Sequence, residues 1–268
     1  MTETFIAKTQ ELLSTLDGFR VEVDPEKQRA DIILDRPPLN IIEIPQRDQL
    51  RLVFEELDKD DRVRVIVVRA EGKHFSSGGN IAGFLAASPE IVSRLADNIA
   101  APARCHKPVI AANRGYTFGV GFELSLACDF RIASNDALIG FPEVSIGIIP
   151  GAGGTQRLPK LIGLSNAKYW IYSALKFKAE DALSYGFVNF ICVSSELLDR
   201  GMDLANKIIK NAPIAIKSSK KAINEGYSIS IEDGLKIERN NYNISLNTKD
   251  RDEALDAFIN KRKPNWKN

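Results

Sequence analysis

Glu123 and Glu143 each stand beside a glycine-rich turn, and as a pair they could move protons around an activated carbonyl. Glu123 closes the run Gly115-Tyr116-Thr117-Phe118-Gly119-Val120-Gly121-Phe122-Glu123, and Glu143 follows Phe141-Pro142. Upstream lies His74-Phe75-Ser76-Ser77-Gly78-Gly79-Asn80, and downstream a third block contains Gly151-Ala152-Gly153-Gly154. Glycine lets backbone N–H groups approach a ligand that a side chain would hold off. Two such groups stabilise a carbonyl oxygen that gains negative charge, while two carboxylates take up and deliver protons. They divide that work when burial and neighbouring charge move their pKa values apart. Which of the two is the base is not written in the sequence, and their titrations are expected to be coupled.

The elements around these residues must hold them in loops. Phe19–Val23 and Ala30–Leu34 read as strands joined by a turn at Asp24-Pro25, and Arg36-Pro37-Pro38 ends the pair because proline cannot donate to a ladder. Residues 46–58 read as a helix, and Val63–Val68 is a buried strand by its β-branched content. The His74–Asn80 loop follows that strand. A helix is expected over Pro89–Arg104, a strand over Pro108–Ala112 and a helix over Val120–Cys128. Gly119-Val120-Gly121 therefore falls at a helix N-terminus, where free N–H groups and the dipole favour an anion. Strand Asp129–Ala133 comes next. Helices dominate after residue 163, with 195–210, 213–225, 231–246 and 250–260 expected, and a short amphipathic helix is expected over 4–16. Strands alternating with helices imply an α/β core with crossover connections.

Composition narrows the function classes. At 268 residues the chain suits one large domain, or one with an appendage, and a net charge of +1 without a basic stripe disfavours nucleic-acid binding. Cys105, Cys128 and Cys192 show no C-x-x-C spacing, and His74 and His106 form no H-E-x-x-H, so neither a disulfide framework nor a metal site is expected. The N-terminal residues lack the basic flank and apolar core of a secretory signal, and no apolar run reaches the roughly 18–20 residues that span a bilayer. A cytoplasmic protein without membrane partners is expected. Both histidines read as structural or surface residues, Cys128 as core, and Gly151–Gly154 as turn and helix packing near the site, since the P-loop ending is missing.

The Phe75–Asn80 loop, the Gly115–Glu123 run with Ala127-Cys128-Asp129 after it, and Pro142–Leu158, taken in order, resemble the crotonase, or enoyl-CoA hydratase/isomerase, superfamily. The resemblance runs over residues 20–268 and includes the ending Asp256–Pro264. It implies an α/β fold, a spiral of ββα units over residues 1–200 with a short N-terminal helix, and a helical region over 201–268 that packs homotrimers, often paired into homohexamers. It also implies an acyl-CoA substrate, with coenzyme A as part of the substrate and no separate cofactor. The Gly79 and Val120 N–H groups then hold the thioester oxygen, valine serving as well as glycine because only the backbone acts. Glu123 and Glu143 match the acid–base pair of the hydratases, whereas many members with other chemistry lack one or both.

By the same resemblance Pro38 lies near the pantetheine or adenine, Ser77 in the substrate loop, Phe141 at the acyl pocket, and Phe258 and Lys261 near coenzyme A, often from a neighbouring subunit. Asn80 stands where an aspartate is usual, and Ser77 and Gly79 replace the usual alanines. Phe84, Phe141 and the 81–90 segment are expected to shape the acyl pocket, and Arg36–Pro45 is similar to members acting on ring-containing acyl groups. Enoyl-CoA hydration is the leading expectation. Thioester hydrolysis or double-bond isomerisation on the same scaffold stays open, as does a non-catalytic member that binds RNA or a partner.

Overall fold

In a computed structural model that describes residues 12–267, the strands form two sheets wound along one spiral. The larger sheet has the order β1 (Phe19–Asp24), β2 (Arg29–Leu34), β3 (Val65–Ala70), β4 (Val109–Asn113), β6 (Phe130–Ser134), β9 (Phe190–Cys192). The smaller joins β5 (Tyr116–Phe118), β7 (Leu138–Gly140) and β8 (Phe177–Lys178). β1 runs antiparallel to β2, and the rest of the larger sheet is parallel. β4 and β6 each lead into a short strand of the smaller sheet, which gives the spiral its pitch.

The helices are α1 (Ile44–Lys59), α2 (Ile81–Ala86), α3 (Pro89–Ser93), α4 (Leu95–Ile99), α5 (Ala101–Arg104), α6 (Val120–Ala127), α7 (Gly154–Ile162), α8 (Leu164–Ser173), α9 (Ala179–Ser184), α10 (Leu197–Ile209), α11 (Pro213–Gly226), α12 (Ile231–Leu246) and α13 (Lys249–Ile259). The single helix expected over Pro89–Arg104 is instead α3, α4 and α5. Pro102 has no N–H to donate backward, which accounts for the break between α4 and α5. The helix expected over 4–16 lies largely outside the described residues, but Leu12, Leu13 and Leu16 pack on the core.

A parallel strand covered on both faces needs apolar residues at every position, and β3 and β4 meet that need. Ile66, Val68, Val109 and Ala111 face one core with Leu50, Val53, Phe54 and Leu57 of α1. Val65, Val67, Ile110 and Ala112 face the opposite side, where Leu197 and Ala205 of α10 cover them. Helix α10 thus crosses residue 200 while packed on the sheet. Beyond it, Lys220 of α11 is held by the Pro102 and Lys107 carbonyls and by Asp129 Oδ2 at 2.7 Å, which ties the C-terminal helices to the core.

A second core surrounds α6. Phe122 stacks on Phe141 with centroids 4.4 Å apart, and Phe187 meets Phe122 edge-on at 4.7 Å. Trp170 stacks on Phe177 at 3.9 Å in the same cluster. Phe141, expected at the acyl pocket, is fully buried here with its ring in this cluster. Its ring edge abuts Gly154, where an added Cβ would lie 2.6 Å from Phe141 Cζ. Phe141→Leu is expected to cost about 1–2 kcal/mol, read as a lower Tm, through lost packing.

Candidate active site

The loop after β3 and the turn after β5 meet at their glycines. Gly78 has φ +111° and Gly119 φ +53°, both in the half of backbone space that disfavours side chains. A Cβ on Gly119 would lie 3.6 Å from Gly78 Cα, so the loops are in van der Waals contact. The Ile42 N–H donates to the Gly78 carbonyl at 2.9 Å, and Gly78 N–H donates to Ser76 Oγ at 3.1 Å. Gly121 has to be glycine because a Cβ would press on Ser76 Cβ at 2.5 Å. This stitching leaves the Gly79 and Val120 N–H groups, the latter in the first turn of α6, without an acceptor among the described residues. Two free donors at adjoining glycine turns are what an oxyanion site requires.

The carboxylates flank these donors in unlike settings. Glu123 is buried in the first turn of α6, and its Oε1 accepts from Ala152 N at 2.7 Å and Gly154 N at 2.9 Å. Burial pushes its pKa up, against those two N–H groups and the positive fields of Arg47 and Arg157, which favour the charged form. Glu143 opens a 3-10 turn at Glu143–Ile146, and its Oε1 lies 2.7 Å from where a Gly119 Cβ would stand. Its Oε2 is shielded from solvent with no hydrogen-bond partner. Burial first, then the charge of Glu123, push its pKa up to about 8. Glu123 thus accepts from two N–H groups that stabilise an anion, whereas Glu143 has only its own backbone N–H against burial and the Glu123 charge, so at neutral pH Glu123 is the better seat for the charge and Glu143 for the proton.

The remaining expected residues divide. Ser77 N–H donates to the Leu39 carbonyl at 2.9 Å, which brings the exposed Pro38 beside the glycine loop. Phe258 and Lys261 are not brought there: both are exposed, and no hydrogen bond, ion pair or ring contact joins them to the loops. Their segment is anchored by Trp266 Nε1 to the Lys210 carbonyl, close to where Arg64, just before β3, bonds the Asn211 carbonyl. That is the opposite end of β3 from the glycine loop.

Several residues at the site were not anticipated. The Gly151–Gly154 block supplies the donors to Glu123 rather than turn geometry alone. Asn80 caps α2 by accepting from Gly83 N at 3.2 Å, and its amide donates to both Glu43 oxygens at 3.0 and 3.1 Å. That accounts for an amide in place of an acid: Asn80→Asp is expected to set two carboxylates against each other and lower Tm most at neutral pH, with recovery at acid pH. Arg47 also went unread, although it shares the buried face of α1 with Leu50, Phe54 and Leu57. An arginine on an apolar helical stripe was the available signal. His74 is structural, its Nδ1 accepting from Tyr116 N at 3.0 Å with the ring stacked on Tyr116. His106 pairs with Asp58 at 2.6 Å away from the site. The three cysteines are buried free thiols, and no cluster that could hold a metal occurs among the described residues.

Comparison with known proteins gives the family. The chain is 37% identical over 256 residues to the short-chain-enoyl-CoA hydratase of Clostridium acetobutylicum, covering 91% of this chain and 95% of the relative. It is 33% identical over 256 residues to the crotonyl-CoA hydratase of Syntrophomonas wolfei, covering 91% and 96%. The crystal structure of an enoyl-CoA hydratase from Bacillus anthracis matches with a TM-score of 0.88 at 35% identity, over 94% of this chain and 99% of that one. Residues 26–268 match the family described as enoyl-CoA hydratase/isomerase, and the chain belongs to that family.

Proposed function

We propose that the protein is an enoyl-CoA hydratase, adding water reversibly across the α,β-double bond of an acyl-CoA thioester. The observation that carries the reading is the unlike pair of glutamates beside two unpartnered N–H groups. The thioester oxygen accepts from Gly79 and Val120 N–H, which draws electrons from the double bond and stabilises the enolate as it forms. Glu123 takes a proton from water as the water oxygen bonds to the β-carbon. Glu143 gives its proton to the α-carbon as the enolate collapses. One hydroxyl and one proton are added, and the pair returns to its starting charge by passing the proton from Glu123 to Glu143. Coenzyme A enters as part of the substrate, and the chemistry uses no further cofactor.

Pro38 and Ser77 are suited to contact the pantetheine side of the substrate. Phe258 and Lys261 would serve coenzyme A only on another copy of the chain, which supports a homotrimer or a homohexamer assembled through the region after residue 200. Among the described residues no helix is long and apolar enough to cross a membrane, and the buried free thiols suit a reducing, cytoplasmic setting. The test is mass spectrometry of the purified protein with linear and cyclic enoyl-CoA thioesters. A gain of one water with coenzyme A retained is expected. Free coenzyme A would instead indicate a hydrolase, and a moved double bond without mass change an isomerase.

A further inference from the structure

Arg47 is a buried cation with two unpartnered donor atoms. It is 3% exposed, and its Nε and Nη2 are shielded from solvent without a hydrogen-bond partner. The guanidinium lies over the Phe84 ring at 5.1 Å, and its Nη2 is 2.8 Å from where a Cβ on Gly79 would stand. It therefore borders the residue whose N–H faces the thioester oxygen. Neither nearby carboxylate bonds Arg47: Glu123 Oε1 accepts from Ala152 and Gly154 N–H, and both Glu43 oxygens accept from Asn80. Both still act on Arg47 through their charge. Leaving charged donors unbonded in the interior is costly, and such groups in native proteins have a reason.

We propose that Arg47 is a specificity-determining residue whose guanidinium is kept for a neutral oxygen, carbonyl or hydroxyl, carried by the acyl group beyond its double bond. The inference deepens the hydratase reading and rests on it. Neutrality follows from the surrounding charge. Glu123 and Glu43 already act on the Arg47 charge, and Glu123 is shared with Arg157, so a carboxylate on the acyl group would set a third negative charge beside Arg47. A carbonyl or hydroxyl takes the hydrogen bond without that repulsion, and an acyl group lacking oxygen leaves the donors as they are.

Saturated thioesters test this apart from turnover. The parent, Arg47→Lys and Arg47→Met are titrated calorimetrically with pentanoyl-CoA, 4-oxopentanoyl-CoA, 5-hydroxypentanoyl-CoA and glutaryl-CoA, beside a thermal melt of each. The parent is expected to bind an oxo or hydroxy thioester roughly 10- to 100-fold tighter than pentanoyl-CoA, the effect of one charge-assisted hydrogen bond. In Arg47→Met that ratio falls to within about threefold of unity, and in Arg47→Lys part of it survives because one donor remains. Equal binding of oxygenated and plain thioesters by the parent, or an unchanged ratio in Arg47→Met, overturns the proposal. A larger gain for glutaryl-CoA than for the neutral pair overturns the choice of a neutral oxygen. If Arg47→Met fails to fold, the ratio in Arg47→Lys decides. An oxygen preference without hydration in the mass-spectrometric panel would sink the hydratase reading and leave the recognition standing.

Discussion

Glu123→Gln and Glu143→Gln are each expected to lower kcat for hydration by roughly 10²- to 10⁴-fold with the fold intact, the loss typical of removing a positioned acid or base. Glutamine at 123 keeps an oxygen for the Ala152 and Gly154 N–H groups, so the local structure survives while the water-activating oxygen becomes an amide. Glutamine at 143 keeps the shape near Gly119 but has no acidic proton. Steady-state kinetics beside a melt separates this outcome from misfolding, and rates within about threefold of the parent for both variants would exclude the two residues as the acid–base pair. In the parent, kcat/KM should fall as pH rises through about 8, where Glu143 loses its proton. A residual rate in Glu143→Gln should lack that alkaline limb.

Glu143 has a linked effect on stability. Its folded pKa of about 8 lies above the ordinary glutamate value of 4.5, so between those values the native state holds a proton the unfolded chain has released. Stability must then fall as pH rises across that window. Glu143→Gln removes the titration. Its Tm advantage over the parent should be absent below about pH 4.5, grow towards pH 8 and level above it. An advantage independent of pH would mean that Glu143 is not buried as a protonated acid.

Gly119→Ala should damage both catalysis and stability. Gly119 has φ +53° and ψ −129°, a conformation open to glycine and almost closed to alanine. The added Cβ would also lie 2.7 Å from Glu143 Oε1 and 3.6 Å from Gly78 Cα. Strain of this kind costs on the order of 1–3 kcal/mol, and relief by backbone rotation would swing the next N–H, that of Val120, away from the substrate oxygen. We expect a Tm lower by several degrees and kcat lower by more than about 100-fold, since one oxyanion donor alone is worth that much. A variant that loses stability but keeps its kcat would show that the Val120 N–H is not an oxyanion donor.

The parts of this protein legible in one dimension are those whose physics is local. Val65–Ala70 is a strand because β-branched residues fill both faces, and Ile231–Leu246 is a helix because Ser230 caps a periodic pattern, its hydroxyl accepting from Asp233 N. The glycine runs marked the two turns that carry the site, and Glu123 and Glu143 stood out because acids are uncommon beside such turns. The strands Tyr116–Phe118, Leu138–Gly140 and Phe177–Lys178 were not legible, because two or three residues carry no periodicity and exist through their partners. The packing of Phe141 was hidden for a related reason: nothing about a phenylalanine before Pro142-Glu143 says that its ring stacks on Phe122.

The sequence alone determined the α/β class and the helical ending, and through resemblance it pointed to the two carboxylates and the backbone donors at Gly79 and Val120, since each motif is a run of residues near one another in the chain. Tertiary structure decided the rest. It brings Ala152 and Gly154 N–H to Glu123 from 29 and 31 positions away and leaves Glu143 Oε2 without a partner. It also sets Arg47 against Gly79 and Phe84 with its donors free. The unlike settings of the two carboxylates follow from those contacts, because a pKa is set by the neighbours that folding supplies and not by the residue's own place in the chain.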